Sequence, residues 1–498
     1  RQQLAESFTE IRLERLDDAT SRLLVGHLLQ IESLPPGLRR LVLDKAEGNP
    51  FFLEEVVRML IERDLVERRD GRWVARPGIG HLEVPATVQG LLTSRIDMLP
   101  TDVRRAGRVA AVIGRQFPSR LLAKVDPIPG DEEWAATLHP NIAALEAHGM
   151  VRLAATRPEP EFAFRHALIH DAMYSGLLKR ERRELHREIA TAIEELYPDR
   201  AEELAPALAR HHVEGGDPER AIGYLMTAGA GALARGARVE SHGFYDQAHR
   251  VLEASPDADP TLRIDAAIGR SRAGSTFTPG PEAVESLTDA LELAEHAGDV
   301  DRLAALYVQL IWVRTMQGEN YASHSYRAQL DAGYALVPRL TDTGTGALLQ
   351  GMKGQAHRSA DELAAAIALL GDAVDGLEAA GRLSDASFNA SMLADCLATR
   401  GAFAEAEVAV ARAARLGHES GDPNAVLDAD LISGRIAMER GDLEEALVYT
   451  QRSLDAAEAV GNTFCALAGN FLLADQKLRL GDTQEAIDHL ERSTGLAQ

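Results

Sequence analysis

Apolar and small residues recur at helical spacing along most of the chain, and over the last third the pattern itself repeats. Gly381, Gly421 and Gly461 fall 40 residues apart, as do Gly401, Gly441 and Gly481. The second set opens a shared phrase: Gly401-Ala-Phe-Ala-Glu405-Ala406, Gly441-Asp-Leu-Glu-Glu445-Ala446 and Gly481-Asp-Thr-Gln-Glu485-Ala486. Arg412, Arg452 and Arg492 keep the same register. The segments between glycines are rich in Ala, Leu and Glu, which are good helix formers, and Gly is the usual residue just past a helix end. The predicted unit is a hairpin of two helices, with Ala406, Ala446 and Ala486 allowing close approach. One hairpin cannot bury its apolar face alone, so neighbours must stack into a solenoid.

Earlier units are looser. Gly298-Asp299 and Gly318 keep the 20-residue step, and Gly216-Asp217-Pro218-Glu-Arg-Ala221 repeats the turn phrase. The pattern is irregular around 338–360, where Thr341-Asp-Thr-Gly-Thr-Gly346 reads as a loop. The residues Thr494-Gly-Leu-Ala-Gln498 read as lying just past the second helix of a hairpin with no polar cap, which suggests truncation or continuation into another domain.

The first 200 residues do not repeat. Phe8–Leu13 alternates like a short strand. Helical pattern follows at 18–31 and 36–47, then Gly48-Asn49-Pro50 and a helix through Asp64. The Gly/Pro-rich stretch 71–85, with Trp73-Val74, reads as a linker or small hairpin. Residues 87–98, 101–113, 118–124 and 134–148 read as four helices. Two β-like runs, Met150–Leu153 and Glu161–Phe164, follow, and then a helix pair at 166–179 and 181–196. Helices followed by a two-stranded wing outline a winged-helix domain. The fold class expected is therefore mainly all-α.

Composition narrows the function classes. With 498 residues, 45 % hydrophobic content and only 5 % aromatics, the chain suits about three Ala/Leu-rich helical domains. Residues 1–250 hold 34 basic and 38 acidic groups, and residues 251–498 hold 19 and 38, so nearly all the net −23 lies in the second half. That half repels phosphate backbones and anionic lipid, so neither nucleic acid nor membrane is an expected partner. No apolar run is long enough to cross a bilayer. The two cysteines, Cys396 and Cys465, support neither a metal cluster nor a disulfide framework, and a reducing cytoplasm is the expected setting.

Candidate chemistry is sparse. A phosphate-binding loop reads G-x-x-x-x-G-K-[ST], yet no Gly-Lys dipeptide occurs, and Gly346-Ala-Leu-Leu-Gln-Gly351-Met-Lys353 misplaces the lysine. No complete catalytic centre, G-x-S-x-G elbow or H-E-x-x-H pair is present. Gly48-Asn49-Pro50 reads as a helix start, with Asn49 capping and Pro50 in the first turn. His166 and His170, beside Asp171, have the spacing of a metal pair without a third ligand, which favours capping or core roles, and His211-His212 is weaker still. Lys179–Arg187 interleaves acids at helical spacing, as a salt-bridged face does. Pro118–Lys124, in the place of a recognition helix, offers only Arg120 and Lys124, and packing against a neighbour domain is the better reading.

Three phrases together carry a resemblance. Ala46-Glu-Gly48-Asn-Pro50-Phe-Phe-Leu-Glu54-Glu55-Val56 resembles the glycine–x–proline segment of signal-transducing NTPases with numerous domains, the STAND class. Val84-Pro85-Ala-Thr-Val88-Gln-Gly-Leu-Leu92, followed by Arg95-Ile-Asp-Met-Leu99-Pro100, resembles the entry to their winged helix. Phe164-Arg-His166-Ala-Leu-Ile-His-Asp-Ala-Met-Tyr174, continuing to Arg183-Glu-Leu185-His186, resembles the exit toward tetratricopeptide repeats.

The resemblance implies helices from the lid of an AAA-type core over 1–70, a winged helix over 71–180 and a repeat array over 181–498. It also implies a nucleotide contact through Gly48, Asn49 and Pro50, with the proline on the adenine, and a phosphate sensor at His166. Related members carry Met-His-Asp at the exit, where this chain has Arg165-His166-Ala167. The family's phosphate-binding loop and acidic strand are expected upstream. ATP or ADP with Mg is thus a cofactor of a longer protein, and none is expected to bind tightly to this chain alone. The array is expected to bind a protein or small effector. The implied output is a class III adenylate/guanylate cyclase or a LuxR-type DNA-binding domain, and a plain repeat scaffold stays open.

Overall fold

In the computed structural model, residues 15–29, 43, 46, 48–69, 72–75, 85, 87–127, 139–274, 281–319, 321–422 and 424–497 are described. The expectations for Phe8–Leu13, and for most of 36–47, 76–84 and 128–138, lie outside them. The architecture is mainly α-helical, and the chain divides into two compact units, residues up to Tyr224 and residues from Leu225.

The first unit begins with α1 (Asp18–Leu29) and α2 (Pro50–Glu62), then β1 (Val66–Arg69) and β2 (Arg72–Ala75), an antiparallel hairpin. Phe52, Leu53, Val56, Val57, Met59 and Leu60 make one apolar face of α2 and pack with Val66 and Leu91. Helices α3 (Val88–Asp97), α4 (Thr101–Ile113), α5 (Ser119–Val125) and α6 (Asn141–Ala147) follow. The two expected strands are β4 (Val151–Ala155) and β5 (Glu161–Phe164), and a third short strand, β3 (Gln116–Pro118), joins them in the order β3-β5-β4. Pro118 thus closes a strand, and the helix expected from it starts one residue later.

Alternation on β5 sends Phe162 and Phe164 inward against Phe117, at ring distances of 6.4 and 5.8 Å. Helix α4 runs through this core, and Gly107 on it lets Met173 and Leu145 close in. Helices α7 (Ala167–Ser175), α8 (Lys179–Leu196) and α9 (Ala205–Gly215) complete the core through Ile169, Met173, Ile189, Ile193 and Leu208. Lys124 on α5 pairs with Glu195 of α8 at 2.9 Å, within the same compact unit.

Helix α10 (Pro218–Ala234) leads to α11 (Arg238–Glu253), α12 (Pro260–Gly274), α13 (Pro281–Ala297), α14 (Val300–Met316) and α15 (His324–Tyr334). Then come α16 (Thr343–Ser359), α17 (Leu363–Ala379), α18 (Leu383–Thr399), α19 (Phe403–Ser420), α20 (Leu427–Arg440), α21 (Leu443–Val460), α22 (Thr463–Leu480) and α23 (Thr483–Ala497). From α16 onward these are stacked antiparallel pairs, a TPR-like helical solenoid. Ala406, Ala446 and Ala486 are buried at the helix crossings, as their spacing implied.

The six periodic glycines all turn left-handed, with φ between 69° and 90°. At Gly441 an added Cβ meets nothing, so only backbone strain opposes it. Gly441→Ala is expected to cost about 1 kcal/mol in urea unfolding of the array.

Two sequence expectations fail here. Thr341–Gly346 is a loop only over Thr341 and Asp342: Asp342 caps α16, accepting from the Gly344 and Thr345 amides at 2.9 and 3.2 Å, and the helix runs on from Thr343. Local Thr/Gly propensity loses to that cap and to the packing of Gly344 under Arg382 and Ala380. The residues Thr494–Ala497 do not lie past a helix but continue α23.

Candidate functional site

The segment read as a nucleotide contact starts at a backbone turn. Gly48 is buried with φ 75°, and its carbonyl accepts the Leu16 amide at 2.8 Å. Asn49 stays extended and its Oδ1 accepts the Phe51 and Phe52 amides at 3.0 and 3.3 Å. Pro50 takes the first helical position, where its missing N–H costs no bond, and its ring is exposed.

His166 sits at the start of a second helix, α7, as its N-cap. Its Nδ1 accepts the Leu168 amide at 3.2 Å. The ring lies on Phe51, centroids 3.9 Å apart and planes within 14°. The structure therefore brings the two predicted segments together through a residue between them that sequence reasoning did not single out. The cap also sets the tautomer. Because Nδ1 accepts, the proton of the neutral ring is on Nε2, which makes no hydrogen bond among the described residues. The site thus offers an N–H donor and an exposed proline ring beside the amino-terminal ends of two helices, a donor set that suits an anionic group.

His170 does not join His166. It spans Asp171 at 2.8 Å and the Ala111 carbonyl at 3.0 Å, tying α7 to α4. His212 pairs with Glu194 at 3.1 Å, and His211 is buried among polar neighbours. Among the described residues no cluster of three or more metal-ligating side chains is present.

A buried ionic latch holds α2 in place. Arg95 of α3, wholly buried, donates from Nε and Nη2 to Glu62 at 2.9 and 2.6 Å, from Nη2 to the His148 carbonyl at 2.7 Å, and from Nη1 to Glu55. Burial pushes the Glu55 carboxyl up from its ordinary value, with Arg95 opposing. Arg58 closes the same seam by lying across Gly149. The latch could be suspected from sequence: Arg95 and Glu55 interrupt apolar helix faces at buried positions, between Leu92 and Ile96 and beside Val56.

A family profile described as "Domain of unknown function (DUF8739)" matches residues 17–73, which contain α1, α2 and Gly48–Phe51. An uncharacterized protein of Rhizobium meliloti (strain 1021) is 27 % identical over 251 residues, 50 % of this chain and 23 % of that protein. The chain therefore matches less than a quarter of that relative's length. Among solved structures, a STAND protein with a tetratricopeptide repeat sensor from Pyrococcus horikoshii shares 14 % identity, with TM-score 0.38, over 98 % of this chain and 73 % of that one. Aspartyl phosphate phosphatase F from Bacillus subtilis shares 13 %, with TM-score 0.46, over 84 % and 96 %. The apo quorum sensor NprR from B. thuringiensis shares 11 %, with TM-score 0.47, over 66 % and 93 %. At such identities the likeness concerns helical architecture alone.

Proposed function

We propose that this chain is the regulatory and sensing portion of a longer ATP-dependent signalling protein of the STAND type. On this reading residues 71–180 are its winged helix, and an adenine nucleotide held by an AAA-type core is read by the Pro50–His166 site. The observation that carries the reading is the Phe51–His166 stack, which brings the residue next to the exposed Pro50 against a ring whose Nε2–H has no partner among the described residues. A bound nucleotide would supply an apolar base and anionic phosphates. Pro50 offers apolar surface to the base, and His166 Nε2–H donates to a phosphate oxygen. Gly48 and Asn49 fix the turn that presents Pro50. Any Mg²⁺ would be held with the phosphates by the core.

The repeat array is the docking surface for a protein partner in this proposal. Phe464, Phe471 and Leu478 recur every seven residues on α22 and stand exposed, in the half of the chain with a −19 balance. That combination fits a basic amphipathic segment. Partner binding would shift the nucleotide-sensing unit between two states, and output would pass to an attached domain, with a class III nucleotide cyclase the leading choice.

Capping and sensing by His166 separate experimentally. Asn is itself a good N-cap, so His166→Asn is expected to keep thermal stability while weakening ADP binding to the core-containing protein about tenfold by isothermal titration. His166→Ala loses the cap as well, about 1 kcal/mol. Unchanged ADP affinity in His166→Asn and in Pro50→Ala would show that these segments only start helices, leaving the chain a repeat scaffold.

A further inference from the structure

A second polar cluster lies inside the first unit, where α7, α8 and α9 meet the end of α4. Tyr174 Oη contacts His186 Nε2 at 3.1 Å, His186 Nδ1 faces His211 Nδ1 at 2.8 Å, and His211 Nε2 faces Arg210 Nη2 at 3.0 Å. Arg210 Nη2 also donates to the Ile113 carbonyl, at 2.5 Å, where α4 ends. Both imidazoles are about 1 % exposed.

The chemistry of the end groups gives this chain a direction. A guanidinium only donates, so His211 Nε2 must accept. A neutral His211 then carries its proton on Nδ1 and donates it to His186 Nδ1. His186 in turn carries its proton on Nε2 and donates to Tyr174. Every link is satisfied only when both rings are neutral. A proton added to His211 sets two donors face to face at Arg210, and one added to His186 does so at His211.

We propose that this Arg210→His211→His186→Tyr174 relay is a proton-released latch, joining α9 to α7 and to the end of α4 and opening in acid. The surroundings agree. From α9 the facing groups are Arg210, His212 and Glu214, from α8 Arg182, and from α7 Tyr174 and His170. Helix α4 presents the Ala111 and Ile113 carbonyls, with Arg108 beside Gly176. On α5, Lys124 faces Glu195 and Arg120 faces Tyr197. His212 is already engaged by Glu194, and Glu214 acts on Arg210.

Burial, then Arg210 and Arg182, hold His186 down at about 4. Burial, then Arg210, His186 and His212, push His211 well below the usual histidine range, with the Ile113 carbonyl opposing them. The unfolded chain therefore binds more protons than the folded one below about pH 6.5, so the latch weakens as pH falls from there toward 4. This inference is independent of the nucleotide reading, since neither ring touches Pro50 or His166.

The test is hydrogen exchange of the chain at pH 7 and pH 4.5, corrected for intrinsic rates, in wild type and in His186→Gln/His211→Gln. Amides of α7 and α9 in the wild type are expected to lose protection at least tenfold more than those of α18–α22, and the double variant to lose that pH dependence. Equal acid sensitivity in both proteins would overturn the proposal. Should the double variant not fold, ring ¹⁵N spectra of the wild type decide. They are expected to show His186 protonated on Nε2 and His211 on Nδ1, and the reverse assignment overturns the relay.

Discussion

Arg95→Ala is expected to destabilise the first unit by about 3–5 kcal/mol, the range for removing one partner of a buried ion pair. The wild-type side chain is fully buried and joins Glu55, Glu62 and the His148 carbonyl. Truncation leaves Glu55, 3 % exposed, with only Arg58, 3.8 Å away, to oppose its desolvation. It also frees a buried carbonyl and opens a cavity between α2 and α3. Urea unfolding, with hydrogen exchange of α2 and α3 amides, reads the loss. The sign of the electrostatic part is checked by Arg95→Met/Glu55→Gln. A neutral amide in place of Glu55 removes the more deeply buried charge and leaves only Glu62, 19 % exposed, without its cation, so the double variant is expected to recover part of the loss. If it is no better than Arg95→Ala, the cost is packing and the ionic account fails. In the nucleotide-sensing reading the consequence goes further, because the latch fixes the helix whose first turn presents Pro50 and Phe51.

Different parts of this molecule were legible in the sequence to different degrees. The array from α18 to α23 could be drawn from six glycines and three alanines, because a left-handed residue at a helix end and a small residue at a crossing are both dictated by sterics. Asn49 as a cap and Pro50 as the first helical residue were readable for the same reason. Thr341–Gly346 misled because propensity is a weak prior, and one Asp cap with tertiary packing reversed it. Strand β3 is three residues long and exists only through β5, so no local period could announce it. Phe51 lay inside a quoted phrase but looked like another apolar residue of α2, and its partner His166 is distant in the chain. The His186–His211 contact was hidden for the same reason. His186 stood in a motif and His211 beside His212, and only folding α9 onto α8 makes one ring face the other.

Gly48→Ala carries the second large effect, and it exceeds the cost of the same change at Gly441 although the backbone angles are similar. At Gly441, φ is 90° and an added Cβ meets open space, so the penalty is the strain of a left-handed alanine, about 1 kcal/mol. At Gly48 the strain is comparable, but the Cβ would fall 2.2 Å from the Leu16 carbonyl oxygen and 3.0 Å from its nitrogen. Backbone cannot swing aside as a side chain can, so the Leu16 N–H to Gly48 C=O bond must break or the turn into α2 must move. The lost bond contributes about 1 kcal/mol and the displaced turn more, for a total of about 3 kcal/mol. The α1–α2 junction is expected to melt first, seen as early exchange of the Leu16, Phe51 and Phe52 amides, with α18–α22 unaffected. Equal losses at Gly48 and Gly441 would mean that the close approach of Leu16 constrains nothing, and that the turn presenting Pro50 is held by Asn49 alone.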